Sequence, residues 1–458
     1  MKKLVLLALA MFVGFALTAC VAETTATTVS LTTSTASTTT VTTTGVVDYV
    51  QGITDTTIKV GNTATISGPY AFIGLPFNEG IKAVFKQVNA AGGIDGRMIE
   101  LINRDDGFNG ATGLVNTEAL VEEDKVFALV GHFGTPTVGA TISYIQEQGV
   151  PMVYAATGIN ALYFAETPGN PVMAVQPIYK TDGRIMAARA LQEDLYGVAG
   201  DEAIGATAKI GVLYTNDDVG NSIKAGVEIE AAELAKTANF IYLAVTADTV
   251  ASAVNYLKGN GVAAIILAMN QAPFAYTLSA MYDATLNVPV FTSYVNADVT
   301  AVNHLEYNVA RPIYTNAWVD IFSTKGAADV QEFIACIAAS DLPEATKTAY
   351  YGNSFAIAGY IAATVFVEGL TRVAAGTEEL TWKSYIEAME SAPIDIPMGG
   401  TVDFTGGKRW GIAAMSLLKY GFTLGDNPAT TDVVETTFAL ETFAKVKEIE
   451  TIDQIEAK

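Results

Sequence analysis

The sequence predicts an α/β protein made of two doubly wound units in series, and three observations support this prediction. Apolar, β-rich runs alternate with helical patterns across short connections, which is typical of parallel sheets covered by helices on both faces. The alternation stops at Gln176-Pro177 and then starts afresh. The 458 residues are too many for one ordinary domain and enough for two or three.

The first unit begins near Thr57 with a β-rich run that ends at Ser67-Gly68-Pro69. A helical pattern runs from about Pro76 to Ala91 and ends at Gly92-Gly93, because glycine is common just after the last turn of a helix. The predicted strands of this unit are 58–66, 98–103, 126–131 and 151–154, and its predicted helices are 76–91, 111–123 and one that ends near 149.

The second unit repeats this alternation after Gln176-Pro177. Its predicted strands are 209–214, 240–245, 262–268 and 288–291, and its predicted helices include 185–196 and 221–236. The last third of the chain has few alternating strands. We therefore expect its segments to pack back onto the two units; these are 315–322, the helical 328–339 and the long apolar 354–370.

The N-terminus has the pattern of a secretory signal. Lys2 and Lys3 precede an apolar run over 4–17 that is too short to span a bilayer comfortably, and small residues then lead to Cys20. The arrangement resembles a bacterial lipobox, in which Cys20 becomes the lipid-modified first residue after removal of the signal peptide 1–20. The alternative is an ordinary cleaved signal with an incidental cysteine. Residues 21–56 are rich in threonine and are predicted to form a flexible tether.

Charge and missing motifs argue against several classes of function. There are 48 Asp and Glu residues against 26 Lys and Arg, a formal charge of -22, and such a surface repels nucleic-acid phosphates. Only Cys336 remains besides Cys20, so a lipidated chain forms no internal disulfide. His132 and His304 have no metal-ligand spacing, and no GxSxG, HExxH or Walker A pattern occurs. We expect no catalytic residue, no metal and no cofactor.

The junction at 131–137 is the best candidate for a ligand site. An apolar strand ends at Gly131, Thr135 is predicted as the N-cap of the next helix, and Pro136 as its first residue. Free N–H groups and a hydroxyl at a helix start suit a carboxylate. The next strand ends at 155–158, where Thr157 brings a second hydroxyl to the same sheet edge. The alternative is that both threonines only cap helices.

Together these segments resemble the periplasmic leucine/isoleucine/valine-binding protein family, the branched-chain amino-acid type of ABC transporter substrate-binding protein. The resemblance covers about 57–420 and rests on the order and spacing of short motifs. The segments 134–137, 156–158 and 216–218 resemble a divergent branch of the family more closely. The other matching motifs are Ile58-Lys59-Val60-Gly61, Ser67-Gly68-Pro69, Asn89-Ala90-Ala91-Gly92-Gly93-Ile94-Asp95-Gly96, Asp105-Asp106, Val130-Gly131-His132 and Gly149-Val150-Pro151.

The resemblance implies a type I periplasmic binding protein fold, in which two Rossmann-like lobes with parallel sheets are joined by three hinge strands around a ligand cleft. The hinge crossings are expected near Gln176-Pro177, 311–316 and 404–410. Lobe 1 would combine 57–175 with 317–403, and lobe 2 would combine 176–316 with 404–440. Residues 441–458 would form an acidic C-terminal tail, either an amphipathic helix or a frayed end.

The resemblance also implies where a ligand binds. In the family, the hydroxyl that corresponds to Thr135 and the segment that corresponds to Ala156-Thr157 receive the α-carboxylate of the ligand. The aromatic residue after Ser-Gly-Pro corresponds to Phe72 or Ile73. The expected binding residues are Phe72, Phe133, Gly134, Thr135, Ala156, Thr157, Asp217, Asn270, Gln271, Tyr294 and Tyr351.

This sequence departs from the family at the ammonium group of the ligand. Leucine-binding members hold that group with an acidic residue and a tyrosine of the second lobe, whereas the corresponding positions here are Tyr294 and Val219, neither of them acidic. An unpaired buried ammonium costs on the order of several kcal/mol. Either Asp217, Asp218 or Asp298 supplies the charge, or the ligand has no ammonium group.

The implied function is that of a secreted lipoprotein, anchored through Cys20 to the outer face of the cell membrane, that captures a small polar ligand for an ABC importer and is not an enzyme. We expect an amino acid as the ligand, with a small amide such as urea or an aromatic acid as alternatives. The expected protein partner is an ABC permease, with no nucleic acid, and the chain is expected to be a monomer. A sensory lipoprotein of the same fold is the alternative function.

Overall fold

The computed structural model describes residues 50–164, 166–197, 200–297, 312–426 and 436–458, and these residues form an α/β fold. The first group of elements is β1 Thr57–Ala64, α1 Ala71–Ala90, β2 Met98–Asp105, α2 Gly110–Glu122, β3 Ala128–Leu129, β4 His132–Phe133, α3 Thr135–Gln148, β5 Met152–Val153, β6 Ala155–Ala156 and β7 Val172–Met173. The second group is α4 Tyr179–Gln192, β8 Lys209–Tyr214, α5 Asp218–Glu233, β9 Phe240–Ala244, α6 Val250–Gly259, β10 Val262–Ala268, α7 Gln271–Asp283, β11 Val290–Thr292 and β12 Ile313–Ala317. The last group is α8 Thr324–Ala338, α9 Glu344–Tyr350, α10 Ser354–Ala374, α11 Trp382–Glu390, β13 Ile394–Asp395, β14 Thr401–Val402, β15 Ala414–Asp426, β16 Thr436–Thr451 and α12 Ile452–Glu456.

The first lobe is built on a parallel sheet whose described strands have the order β2-β1-β3-β5-β7. β1 and β2 pair over their full length, from Thr57 opposite Met98 to Ala64 opposite Asp105. A short parallel pair, β4 with β6, follows β3 and β5 at their carboxyl ends. Because parallel strands end at one edge of a sheet, the loops after β4 and β6 lie side by side.

The second lobe is built on a larger sheet, with described strands in the order β16-β15-β12-β11-β10-β8-β9. The five strands from β12 to β9 are parallel, and β15 and β16 add an antiparallel edge. The central strand β10 is apolar along its whole length and almost entirely buried. That composition is typical of a parallel strand with helices on both faces.

The helix α10 belongs to the core of the first lobe, against α1. Glycines let the two backbones approach closely: a Cβ on Gly80 would lie 2.2 Å from the carbonyl oxygen of Ala356, and a Cβ on Gly359 would lie 1.9 Å from that of Phe77. By length and composition α10 is the one helix of the described residues that passes the test for a membrane span. Its contacts with α1 and α11 identify it as a core helix of the folded body.

Three segments connect the two sheets. The chain leaves β7 through Gln176-Pro177 towards α4, leaves β12 towards α8, and returns to β15 through 411–413. The first and third segments are in contact, since the N–H of Ile412 donates to the carbonyl oxygen of Val175 at 2.9 Å. A Cβ on Gly411 would lie 2.2 Å from the carbonyl oxygen of Gln176. The structure and the sequence prediction therefore agree on two α/β lobes joined by three crossings.

Several boundaries differ from the prediction. α1 begins at Ala71, five residues before the predicted start, so Pro76 lies inside the helix and gives no N–H to the Phe72 carbonyl. The predicted third crossing at 404–410 packs on the first lobe instead, where the carbonyl oxygen of Gly407 accepts from the N–H of Thr167 at 3.0 Å. The crossing itself comes immediately afterwards.

Both ends of the folded body extend further than predicted. Residues 50–56, assigned to the tether, pack against the body through Gln51, whose amide donates to two carbonyl oxygens at 3.0 and 2.9 Å. The prediction of a tail over 441–458 is wrong, because this segment completes the second sheet as β16 and then forms α12. The charged residues of this segment suggested a solvated tail, but some of them pair with buried groups of the fold. Lys458, for example, pairs with the buried Glu193 at 2.7 Å.

Some sequence predictions fall outside the described residues. These are the signal peptide with Cys20, the tether up to residue 49, Asp298 as a source of charge for a ligand ammonium, and Arg311 at the start of the second predicted crossing.

Candidate functional site

A cavity of about 200 Å³ lies between the carboxyl ends of the two sheets. Its walls come from both lobes and from the crossings, and most of the lining side chains are aromatic or aliphatic. Such a composition, apolar with a few convergent polar groups, is typical of a small-molecule site. The lining residues are Tyr70, Ile73, Phe77, Phe108, Phe133, Gly134, Thr135, Ala156, Gln176, Tyr179, Asn270, Gln271, Tyr294, Val295, Ala297, Ala317, Trp318, Val319, Ile321, Phe322, Gly352, Ser354, Phe355, Ile357, Ala358, Leu418 and Phe443.

The start of α3 forms the polar end of the cavity in the first lobe. Gly134 is the N-cap residue, with a φ of 99° that favours glycine, and Thr135 is the first helical residue. The prediction that Thr135 itself is the N-cap is therefore wrong by one position. Its hydroxyl is turned to Thr157 instead, and the two Oγ1 atoms lie 2.7 Å apart. The sequence prediction that these two hydroxyls come together at one sheet edge is confirmed by that distance.

Tyr179 adds a third hydroxyl to this pair. It is the first residue of α4, just after the crossing at 176–177, and its phenol lies near the hydroxyls of Thr135 and Thr157, which affect its pKa. Burial raises the pKa of Tyr179, so the phenol stays protonated and can donate a hydrogen bond. Three hydroxyls thus converge at the uncapped start of α3, where first-turn N–H groups have no acceptor within the helix. This arrangement can bind a carboxylate.

The hydroxyl of Tyr294 is hydrogen-bonded to the first crossing and does not point into the cavity as a free group. Its hydroxyl donates to the carbonyl oxygen of Pro177 at 2.6 Å and accepts from the Gln176 amide at 3.0 Å. The amide oxygen of Gln176 in turn accepts from the hydroxyl of Tyr154 at 2.6 Å. This chain of hydrogen bonds joins the two lobes through the first crossing. Because the hydroxyl of Tyr294 is satisfied there, its ring forms part of the wall.

Aromatic rings from the first lobe form the apolar wall. Phe77 and Phe133 lie with ring centroids 4.8 Å apart, and Tyr70 stacks on Phe108 at 4.3 Å. Phe108 has a φ of 65°, and its N–H donates to the buried Asp106 carboxylate at 2.8 Å. Asp106 also accepts from the hydroxyl of Thr137 in α3 at 2.8 Å. One buried carboxylate therefore positions both the aromatic wall and the helix start.

The start of α7 forms the polar end of the cavity in the second lobe. Asn270 is the N-cap residue, and its side chain makes no cap hydrogen bond. The amide nitrogen of Gln271 donates to the carbonyl oxygen of Val295 at 2.8 Å. Both residues line the cavity, so a helix start from each lobe faces the same space.

The structure brings most of the sequence-predicted binding residues to this cavity. Seven of them line it, namely Phe133, Gly134, Thr135, Ala156, Asn270, Gln271 and Tyr294. Thr157 is buried directly behind Thr135. Whether these residues bind the ligand stays a prediction.

Besides Thr157, three predicted residues are not among those that line the cavity. Phe72 is 51% exposed on the outside of α1, while its neighbour Ile73 points inwards. Asp217 is the N-cap of α5, where its carboxylate accepts from the N–H of Gly220 at 2.8 Å. Tyr351 is the C-cap of α9, and the next residue, Gly352, lines the cavity in its place. Phe72 is on the outer face of its helix, and Asp217 and Tyr351 are cap residues. The spacing of the sequence motifs does not show which face of a helix a residue occupies or whether it caps the helix.

Sequence reasoning missed Tyr179, Gln176 and the aromatic wall. Gln176 and Tyr179 lie at the first predicted crossing, next to the cleft. That position is the feature of the sequence that could have identified them. The aromatic residues of the wall come from distant parts of the chain, and no local pattern distinguishes them from core residues.

Among the described residues, one cluster of acidic side chains has the spacing of metal ligands, and an arginine already pairs with it. Glu230, Glu233 and Glu456 are the one group of that kind close enough together, and the Arg184 guanidinium already pairs with Glu230 at 2.9 Å and with Glu233. His132 is fully buried, its Nε2 lies 3.0 Å from the Thr117 hydroxyl, and burial lowers its pKa to about 3. A neutral, enclosed imidazole of this kind is a packing element.

Comparisons with known proteins agree with the fold. Residues 57–422 match the family described as "Periplasmic binding protein". The fold is similar to the "Fatty acid ABC transporter substrate-binding protein" of Thermomonospora curvata, with a TM-score of 0.69, 19% identity, and coverage of 89% of this chain and 96% of that one. It is also similar to a branched-chain amino acid ABC transporter protein of Thermus thermophilus with bound valine, with a TM-score of 0.68, 15% identity, and coverage of 88% and 98%.

Two curated relatives match part of the chain. An "Amino acid binding protein" of Pseudomonas aeruginosa is 28% identical over 175 residues, which is 36% of this chain and 41% of the relative. "Leu/Ile/Val-binding protein homolog 7" of Brucella abortus is 26% identical over 166 residues, 36% of this chain and 40% of the relative. The matched segments span about two fifths of the length of these curated relatives.

Proposed function

This chain belongs to the periplasmic binding protein family, and on that premise we propose that it is the extracytoplasmic solute-binding lipoprotein of an ABC importer. Members of the family bind solutes and do not catalyse reactions. The proposed ligand is small and carries a carboxylate, the lipid anchor is on Cys20, and the proposed partner is a membrane permease. The ligand would be held in the cavity between the two lobes.

One observation carries the proposal: the hydroxyl of Thr135, at the start of α3, faces a cavity that both lobes line, with the hydroxyls of Thr157 and Tyr179 beside it. The hydroxyls of Thr135 and Thr157 lie 2.7 Å apart, and Tyr179 reaches both from the other lobe. A carboxylate at this point would accept hydrogen bonds from both lobes at once. Its binding would favour the closed arrangement, because those bonds exist together only when the lobes meet.

Structural neighbours support a carboxylate without fixing the rest of the ligand. The names of two of them mention a fatty acid and valine, and both molecules carry a carboxylate. The sequence prediction of an amino acid is in line with the curated relatives, whose names include amino acid and Leu/Ile/Val binding. The neighbours share the fold with this chain, and their names do not agree on one ligand. The carboxylate is therefore the part of the ligand that we propose, because the start of α3 can bind it.

The test begins with a thermal-shift screen of the purified full chain against amino acids and small carboxylic acids, followed by calorimetry on the compounds that stabilise it. We expect Thr135→Ala to weaken the best ligand about tenfold or more, because one hydrogen bond to a charged group is lost. Thr135→Ser retains the hydroxyl and should bind within about threefold of the unmodified chain. An unchanged affinity in Thr135→Ala would remove this hydroxyl from the site, and the absence of any stabilising solute would remove the receptor function.

A further inference from the structure

The start of α4, in the second lobe, is capped by residues of the first lobe. The first N–H groups of a helix have no acceptor within the helix, and the N-cap residue of α4, Ile178, makes no side-chain hydrogen bond to them. The loop that follows β6 supplies the acceptors instead. The N–H of Tyr179 donates to the carbonyl oxygen of Gly158 at 2.5 Å. The N–H of Lys180 donates to Oδ1 of Asn160 at 2.9 Å, so Asn160 acts as an N-cap from the other lobe.

Asn160 makes two further hydrogen bonds to the second lobe, both to Ser222 in α5. Its side-chain amide donates to the carbonyl oxygen of Ser222 at 3.2 Å, and its backbone N–H donates to the hydroxyl of Ser222 at 3.3 Å. Ser222 is buried at this contact. A movement of the lobes that takes the loop away from α4 and α5 would break all three hydrogen bonds that join Asn160 to the second lobe.

A cation–π contact lies beside these hydrogen bonds, at the same boundary between the lobes. The ammonium nitrogen of Lys180 is 3.5 Å from the ring centroid of Tyr163, which belongs to the same loop as Asn160. The ring of Tyr163 also stacks on that of Trp410, with centroids 6.0 Å apart. The loop after β6 therefore contacts Lys180 with both an amide and an aromatic side chain.

The same loop connects this boundary to the cavity. Near its beginning, the N–H of Ile159 donates to the hydroxyl of Thr157, at the polar end of the cavity in the first lobe, at 3.2 Å. Near its cap of α4 it holds Tyr179, the first residue of that helix, whose side chain lines the cavity. Asn160 is not among the lining residues. A few residues of one loop therefore set the position of Tyr179 relative to the threonine hydroxyl.

We propose that Asn160 is a positioning residue for solute binding, a role that rests on the proposed function. It acts through Tyr179: by capping α4 from the first lobe, it holds the phenol beside the hydroxyls of Thr135 and Thr157. A solute that needs these groups together binds only the fraction of chains in which the lobes are joined at Asn160. The measured affinity falls with that fraction, so Asn160 affects affinity without contacting the solute.

Calorimetry on the purified full chain tests this role, with L-leucine, L-valine and hexanoate as the probes. These compounds follow the names of a curated relative and of two structural neighbours, which mention Leu/Ile/Val, valine and a fatty acid. We expect Asn160→Ala to weaken binding of the tightest probe by about fivefold or more, a factor typical of the loss of a helix cap.

Thr381→Ala is the matched control, because it removes the N-cap of another helix. The hydroxyl of Thr381 accepts from the N–H of Ser384 in the first turn of α11 at 3.0 Å, and no described residue of α11 lines the cavity. We expect this variant to bind the same probe within about twofold of the unmodified chain. Equal weakening in Asn160→Ala and Thr381→Ala would overturn the inference, since a lost cap anywhere in the fold would then have the same effect.

A double-mutant cycle shows whether Asn160 acts through Tyr179. Tyr179→Phe removes the phenol hydroxyl and keeps the ring. In that background we expect Asn160→Ala to change the affinity by less than about twofold, because the hydroxyl that Asn160 positions is already absent. A residue that only supports the fold would weaken binding by the same factor in both backgrounds, and such additive effects would contradict the positioning role.

Failure of the inference is distinguishable from failure of the proposed function. If a probe binds and Asn160→Ala binds it as tightly as Thr381→Ala does, the receptor function stands and the role of Asn160 is wrong. If none of the three probes binds the unmodified chain, the inference is overturned. The proposed function is wrong as well only if the broad screen finds no stabilising solute.

Discussion

Individual side chains at the first crossing determine how closely the two lobes meet. Gly158 follows Thr157 and lies against the crossing, where its carbonyl oxygen accepts from the N–H of Tyr179 at 2.5 Å. A Cβ at this position would lie 2.5 Å from the hydroxyl of Tyr294 and 2.6 Å from the ring of Tyr179. The absence of a side chain at residue 158 therefore permits both tyrosines to reach the cavity.

We predict that Gly158→Ala destabilises the chain by about 1–3 kcal/mol and weakens ligand binding, because the added methyl group displaces Tyr294 or Tyr179. Urea unfolding and calorimetry with the best ligand of the screen measure the two effects. Gly259→Ala is the matched control, since no atom lies within 4 Å of a Cβ built there. Similar behaviour of the two variants would show that the contact at residue 158 relaxes without cost.

A second residue-scale prediction concerns Asp182 in α4, which is fully buried. Burial raises the pKa of its carboxyl from 3.8 to about 7, although hydrogen bonds from Ser293 and Asn316 act in the opposite direction. The folded chain thus retains a proton on Asp182 that the unfolded chain loses above pH 4. The contribution of Asp182 to the free energy of unfolding accordingly falls as the pH rises from about 4 to 7.

Asp182→Asn removes this titration and keeps an oxygen that can accept from Asn316. We expect the stability of the variant relative to the unmodified chain to increase between pH 4.5 and pH 8, with most of the increase below pH 7. Urea unfolding at pH 4.5, 6 and 8 gives the difference. The exposed Asp283→Asn serves as the control and should show a nearly constant difference. Parallel curves for the two variants would contradict a raised pKa at Asp182.

At the scale of elements, buried arginines attach the late segments of the chain to the lobes. Arg189 in α4 is fully buried and donates to the carbonyl oxygen of Met415 at 2.8 Å, so it joins α4 to β15. Arg409 precedes the third crossing and donates to the carbonyl oxygen of Asn170 at 3.0 and 2.8 Å, in addition to its ion pair with Glu390. A planar guanidinium with several donors suits this role.

We predict that Arg409→Met destabilises the chain by about 3–5 kcal/mol, because it leaves Glu390 and a backbone carbonyl without their donor. The comparison is Lys383→Met, which removes an exposed pair with Glu387 and should cost less than about 1 kcal/mol. Denaturant unfolding at pH 7 distinguishes them. If both changes cost the same, Arg409 does not anchor the segment before the crossing.

At the scale of the whole molecule, three crossings connect the two lobes on either side of the cavity. The cavity is lined from both lobes, since α3 starts in one and α4 and α7 in the other. A ligand that contacts both lobes binds the closed arrangement better, and its binding shifts the population of the chain in that direction.

We therefore expect the best ligand of the screen to reduce the radius of gyration of the purified chain. Small-angle X-ray scattering at saturating ligand measures this change. Thr135→Ala at a subsaturating ligand concentration should remain close to the ligand-free value, because its occupancy is lower. A radius that does not change when calorimetry shows full occupancy would exclude closure as the response.

The sequence by itself determined the two-lobe α/β architecture, the family, and the meeting of Thr135 and Thr157 at one sheet edge. These features are local: apolar alternation, glycine and proline at helix ends, and short motifs depend on neighbours within a few residues. The same reasoning was wrong where a role depends on long-range packing. Charged residues after 441 became a strand of the sheet, and Asp217 became a helix cap.

Only the tertiary structure decided the composition of the cavity. Its walls join Tyr70 near one end of the chain to Phe443 near the other, and they add Tyr179 to the two threonines. No local pattern reports which aromatic residue faces a cleft and which faces a core, because both are apolar positions at the same helical or strand spacing. The lack of charge in the described walls is a property of the assembled surface, and no single segment of the sequence shows it.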